Sequence, residues 1–91
     1  MNQGMSLKDR QVAETRLSSD VRVSTVFLDL KYEPDEPQKW ETLIIGGPYN
    51  DEGEQYTSVE DARAGHELWV MVARGELTPE AIHEMREVTL S

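Results

Sequence analysis

The chain contains no cysteine, which excludes a disulfide, a thiolate metal site and a cysteine nucleophile. Long apolar runs are also missing. The longest stretches are Leu43–Ile45 and Leu68–Ala73, far short of the ~18–20 residues that span a bilayer. The opening Met1-Asn2-Gln3-Gly4-Met5 lacks the apolar stretch of a secretory signal, so a cytoplasmic setting is expected. Aromatic residues make up only 7% of the 91 residues. A single domain of this length buries roughly 60–65% of the surface its unfolded form exposes, so its core is expected to be thin.

Bases are scarce. Nine Lys and Arg stand against 18 Asp and Glu, for a net charge of −9. The deficit is concentrated where Glu33, Asp35, Glu36, Glu41, Asp51, Glu52, Glu54, Glu60 and Asp61 are opposed by Lys39 alone. Such a surface repels nucleic-acid phosphates, so direct DNA or RNA binding through it is not expected. It would attract a basic partner or imitate a phosphate backbone, and it equally serves as a solvated coat that keeps a small protein soluble.

What is present reads as an α+β domain. Residues 1–20 form a polar N-terminal arm in which Leu7, Val12, Ala13 and Leu17 are spaced for a short amphipathic helix, stopped by Ser18-Ser19-Asp20. Residues 21–91 read as a single α+β domain. Val21 to Tyr32 alternates as a strand, with Val23, Thr25 and Phe27 on one face and Ser24, Val26 and Leu28 on the other. Apolar groups on both faces imply a central strand or one packed against a second subunit. Glu33-Pro34-Asp35-Glu36-Pro37 is a proline-punctuated loop. A second strand over Lys39–Ile45 puts Trp40, Thr42 and Ile44 on one face, and Gly46-Gly47-Pro48 ends it. Asn50-Asp51-Glu52-Gly53 is turn chemistry that leads to a short strand around Gln55–Thr57.

A helix then starts at Ser58, an N-cap with Asp61 three residues on. Val59, Ala62, His66, Trp69, Val70 and Ala73 form its apolar stripe. Gly75 supplies the stop, and Gly65 inside it implies a close neighbour. A second helix opens at Thr78-Pro79 and runs to about Val88. The expected fold is a small antiparallel β-meander packed against a C-terminal α-helix, with a second short helix at the C-terminus.

No catalytic motif emerges. His66 and His83 lie on separate helices without ligand spacing, and a structural or surface role suits them better than metal binding. The Asn50–Glu54 loop lacks the ligand order of a calcium site. Gly46-Gly47 lacks the lysine of a phosphate loop. Ser24, His66 and Asp29 form a triad only on paper. No enzyme activity, metal or cofactor is expected. Among the aromatics, Phe27 and Trp69 suit the core, whereas Trp40 suits either the core or a stacking surface.

Ordered short motifs carry a resemblance. Val23-Ser24-Thr25-Val26-Phe27-Leu28, then Trp40-Glu41-Thr42 with an apolar triplet and Gly46-Gly47, then Tyr56-Thr57-Ser58 leading to Glu60-Asp61-Ala62 and Gly65-His66, resemble a family of small tailed-phage proteins. That family reads VSTVFLGLD, FETMVFGG and RYST-EEA--GH. The match covers roughly residues 22 to 67. The pattern is also similar to the Thoeris anti-defence 1 proteins, oligomeric sponges for cyclic nucleotide-type immune signals. The resemblance implies a phage-encoded homo-oligomer in the cytoplasm of an infected host cell, binding a cyclic nucleotide or ADP-ribose-type signal without turning it over. The implied ligand-binding residues are Trp40, Asn50, Tyr56 and Arg63. The chain departs from the pattern at Asp29, where the family has glycine, and at Trp40, where it has phenylalanine. Glu67 and Met71 stand where basic residues one helical turn apart are expected. Two alternatives stay open: an acidic inhibitor that binds a basic, nucleic-acid-handling host protein, and a structural oligomeric phage protein.

Overall fold

A computed structural model describes residues 11–28 and 39–90, with side chains through residue 87. The expected acidic loop at 33–37, the far end of the first predicted strand and the first ten residues lie outside that range. The fold is α+β, as the pattern predicts. Strands β1 (Gln11–Arg16), β2 (Arg22–Leu28), β3 (Lys39–Ile45) and β4 (Gly53–Tyr56) form one antiparallel sheet in sequence order. Helix α1 (Val59–Ala73) packs across it, and α2 (Pro79–Leu90) follows.

Strand β1 corrects the helix expected around Leu7–Leu17. Val12, Ala13 and Thr15 are half-buried, and pairing runs from Ala13↔Thr25 to Arg16↔Arg22. A three-residue apolar spacing here is outweighed by the hydrogen bonds and side-chain contacts that β2 supplies, a tertiary effect that overrides weak local preference. The expected boundary at residue 20 consequently falls inside a hairpin, closed by the Leu17 and Ser18 amides donating to the Val21 carbonyl at 2.9 and 3.2 Å.

The registers Val23↔Ile44, Thr25↔Thr42 and Trp40↔Tyr56 put the β-branched and aromatic side chains of β2, β3 and β4 on one face. Helix α1 covers that face with Ala62, Gly65, His66, Trp69, Val70 and Val72. The core is Val23, Ile44, Trp69, Val70, Val72 and Ile82, bordered by Leu17, Tyr49, Leu68, Ala73 and Leu77. The helix begins as its sequence dictates. Ser58 is extended, and its hydroxyl accepts from the Asp61 amide at 3.1 Å. It ends with Gly75 at φ +82°, where the Gly75 and Glu76 amides return to the Val72 and Met71 carbonyls. Thr78 caps α2 in the same way, 3.1 Å from the Ala81 amide. Gly65 is where Tyr56 crosses beneath the helix, and a Cβ there would overlap the tyrosine ring and hydroxyl.

Candidate functional site

The residue types that usually perform chemistry meet under α1. Thr25 and Thr42 are directly opposed, their hydroxyls 2.5 Å apart. Tyr56 donates to Thr42 Oγ1 at 3.1 Å. His66 reaches down from α1, its Nδ1 2.7 Å from Thr25 Oγ1 and its Nε2 2.9 Å from Thr15 Oγ1. Tyr56 donates to Thr42, and a neutral imidazole serves the remaining contacts in either tautomer: Thr42 to Thr25 to Nδ1 with Nε2–H donating to Thr15, or Thr15 to Nε2 with Nδ1–H donating to Thr25 and Thr25 to Thr42. Burial pushes the His66 pKa below its ordinary value against the opposing pull of Glu67. Burial also pushes Tyr56 up to about 12. Thr25 and Thr42 are fully enclosed and His66 is 2% exposed. The row is buried from Tyr56 to His66 and half-buried at its Thr15 end, and each of its contacts is to another side chain of the fold, which is the arrangement of a structural network.

A second internal cluster joins β4 to both helices. Glu54 accepts from the Trp69 indole at 3.0 Å and from both faces of the Arg86 fork, at 2.5 and 2.8 Å. Burial raises the Glu54 pKa, but the hydrogen bonds from Arg86 and Trp69 outweigh it and hold the carboxylate below its ordinary range. One residue of the acidic stretch is thereby half-buried and paired within the fold. Among the described residues, no group of three or more His, Asp and Glu side chains is placed to hold a metal ion.

The four residues singled out in the sequence are spread apart within one chain. Trp40 lies half-buried at the start of β3, its ring tilted 47° to Phe27 with centroids 5.2 Å apart. Tyr56 is beside it in register but buried, its hydroxyl engaged by Thr42. Arg63 is exposed on α1. Asn50 sits beyond the other end of β3, roughly 17 Å along the strand from Trp40, where its Oδ1 accepts from the Gly46 amide at 2.6 Å.

Basic side chains gather at the Asn50 end. Arg16 and Arg22 are direct cross-strand partners at the mouth of the β1–β2 hairpin, a like-charge pairing that is unfavourable on its own. Glu14 stands 3.9 Å from Arg16 and 3.6 Å from Arg22, beyond hydrogen-bond reach of either. The Arg22 Nε is shielded from solvent and has no hydrogen-bond partner among the described residues. Arg74 closes α1 opposite them, at the negative end of the helix dipole. Between these elements runs a groove of about 630 Å³, lined by Arg16, Leu17, Ser18, Val21, Ala73, Arg74 and Glu76. A separate, smaller hollow of about 160 Å³ shares Arg16 and Val21 with it and is lined by Ser19, Asp20, Arg22 and Ile45 as well. The sequence held one clue to this cluster, two arginines flanking a Ser-Ser-Asp turn, which becomes a cross-strand pair once residues 11–16 form a strand. No family model, curated protein or solved structure matches the chain.

Proposed function

We propose that the protein is a non-catalytic binding protein that captures a small anionic ligand of the nucleotide class. The observation that carries this reading is a groove lined by both Arg16 and Arg74, with Arg22 on a neighbouring hollow that shares Arg16 and Val21, in a chain of net charge −9. Its volume falls within the ~300–1,000 Å³ of small-ligand sites. Leu17, Val21 and Ala73 give it apolar walls for a base or sugar, while the arginines offer donors to phosphate oxygens. Asp20 and Glu76 on its rim favour a ligand that also brings hydroxyl or amine donors.

Capture without turnover is part of the proposal, and it is supported by His66 and Tyr56 being hydrogen-bonded to threonines within the fold and not lining the groove. The resemblance to phage anti-defence proteins gives the ligand's setting: a cyclic nucleotide or ADP-ribose-type immune signal, sequestered in the infected cell by an oligomer. Self-association also answers the thin core, since Val26, Leu28, Leu43 and Ile45 lie half-buried on the sheet face that α1 does not cover. The test is a thermal-shift panel of cyclic di- and trinucleotides and ADP-ribose derivatives on the wild type and Arg74→Ala. A rise of several degrees in Tm with one nucleotide, lost in the variant, is expected. If Arg74 serves only the helix dipole, the variant loses about 0.3–1 kcal/mol of stability and every nucleotide behaves as before.

A further inference from the structure

We propose that β1 pairs edge to edge with β1 of a second copy, in one register centred on Thr15, to give a continuous eight-stranded sheet. The interface deepens the self-association in the reading above by naming the surface that carries it. Among the described residues β1 pairs only with β2, and no other described strand pairs with its outer edge. The other edge, β4, has four residues against six, and Asp61, Ala64 and Arg86 line a groove along it.

Which backbone groups face outward follows from the hairpin. The Leu17 amide donates to the Val21 carbonyl at 2.9 Å. In an antiparallel pair, hydrogen-bonded and non-bonded positions alternate, so Thr15 and Ala13 turn their amides and carbonyls towards Val23 and Thr25. Glu14 and Arg16 then turn theirs away from β2, to the free edge. A second β1 must meet these two residues with its own Glu14 and Arg16, which leaves three two-fold registers to consider. Setting Glu14 opposite Glu14 of the second copy, or Arg16 opposite Arg16, juxtaposes like charges and is disfavoured. The remaining register sets Glu14 opposite Arg16 twice over, about a two-fold axis at Thr15. Each of those pairs exchanges backbone bonds in both directions, and Ala13 meets Leu17 on the helix-covered side. The register shift between Gln11 and Ala13 confines regular pairing to this short frame. Glu14 already lies between Arg16 and Arg22, and the second copy adds another arginine to a carboxylate that its own chain leaves beyond hydrogen-bond reach.

Light scattering on the full chain tests this, with about twice the 10.4 kDa chain mass, or a multiple of that pair, expected. Glu14→Pro removes an outward amide that β2 does not use, so the variant keeps the circular dichroism spectrum of the wild type and loses the pairing. Arg16→Glu sets like charges opposite each other at both positions and weakens association about tenfold or more. The double variant Glu14→Arg/Arg16→Glu exchanges the partners and brings association back to within about threefold of wild type. A monomeric wild type overturns the proposal. So does assembly that Glu14→Pro leaves intact, which would transfer self-association to the open sheet face. A nucleotide that stabilises a monomer would keep the binding reading and overturn the pairing.

Discussion

The two faces of the sheet start from the same alternating pattern and end in different states. On the face beneath α1, Val23, Thr25, Thr42, Ile44 and Tyr56 are all at most 6% exposed, and the polar atoms among them are hydrogen-bonded to one another or to His66. On the opposite face, Ser24, Val26, Leu43 and Ile45 are only half-buried, with Glu14, Arg16 and Arg22 beside them in register. The covered face is therefore closed by its own chain, whereas the open side keeps apolar and charged side chains only partly covered. A histidine and a tyrosine in the first region are scaffold because their partners are fixed. Arg16 and Arg22 in the second share a single carboxylate, Glu14, at 3.9 and 3.6 Å.

Substitutions under the helix should produce the largest effects. Trp69→Ala removes a fully enclosed side chain and the indole donor to Glu54, and is expected to cost about 3–5 kcal/mol in chemical denaturation. Gly65→Ala forces a methyl group into the Tyr56 ring and should cost about 1–3 kcal/mol. A cost near zero would mean that α1 does not ride so close to β4. Tyr56→Phe takes one donor from Thr42 and should cost about 1 kcal/mol. On the open face, Leu43→Ser should stay within about 0.5 kcal/mol for the monomer. A loss as large as that of Trp69→Ala would show that this face is a second core.

Acid sharpens the same contrast. His66 has a depressed pKa when folded, so the stability it gives is complete above its unfolded value of about 6.5 and declines as pH falls below that value and through the folded one. Glu54 also has a depressed pKa. Its contribution is complete above its unfolded value of about 4.3 and is lost at lower pH, as the folded value is passed. Unfolding free energies measured against pH should fall in both windows. The His66→Gln variant should lose the upper slope, and Glu54→Gln the lower one.

Much of the covered side was legible in the sequence. Alternation at Val23/Thr25 and Trp40/Thr42/Ile44 sorted the faces correctly, and Ser58, Thr78 and Gly75 marked helix ends where the caps form. The hydrogen-bonded row was not legible, because Thr15, Thr25 and Thr42 look like any strand threonines until register places them beside His66, 51 residues from Thr15 and 41 from Thr25. Glu54 and Arg86, 32 residues apart, were hidden for the same reason. Strand β1 was misread because Leu7, Val12, Ala13 and Leu17 satisfy a helical spacing on their own, whereas the strand pairing of residues 11–16 depends on β2. The basic groove went unseen with it, since Arg16 approaches Arg22 and Arg74 only once that strand is in place.

The most direct test is a map of backbone amide shifts during titration with a cyclic dinucleotide and with ADP-ribose, with the ligand recovered afterwards for its mass. Shifts at 16–22 and 73–76, with the nucleotide recovered intact, are the predicted result. Shifts centred on Trp40 and Phe27, or a ligand returned in pieces, would contradict capture at the basic end of the sheet.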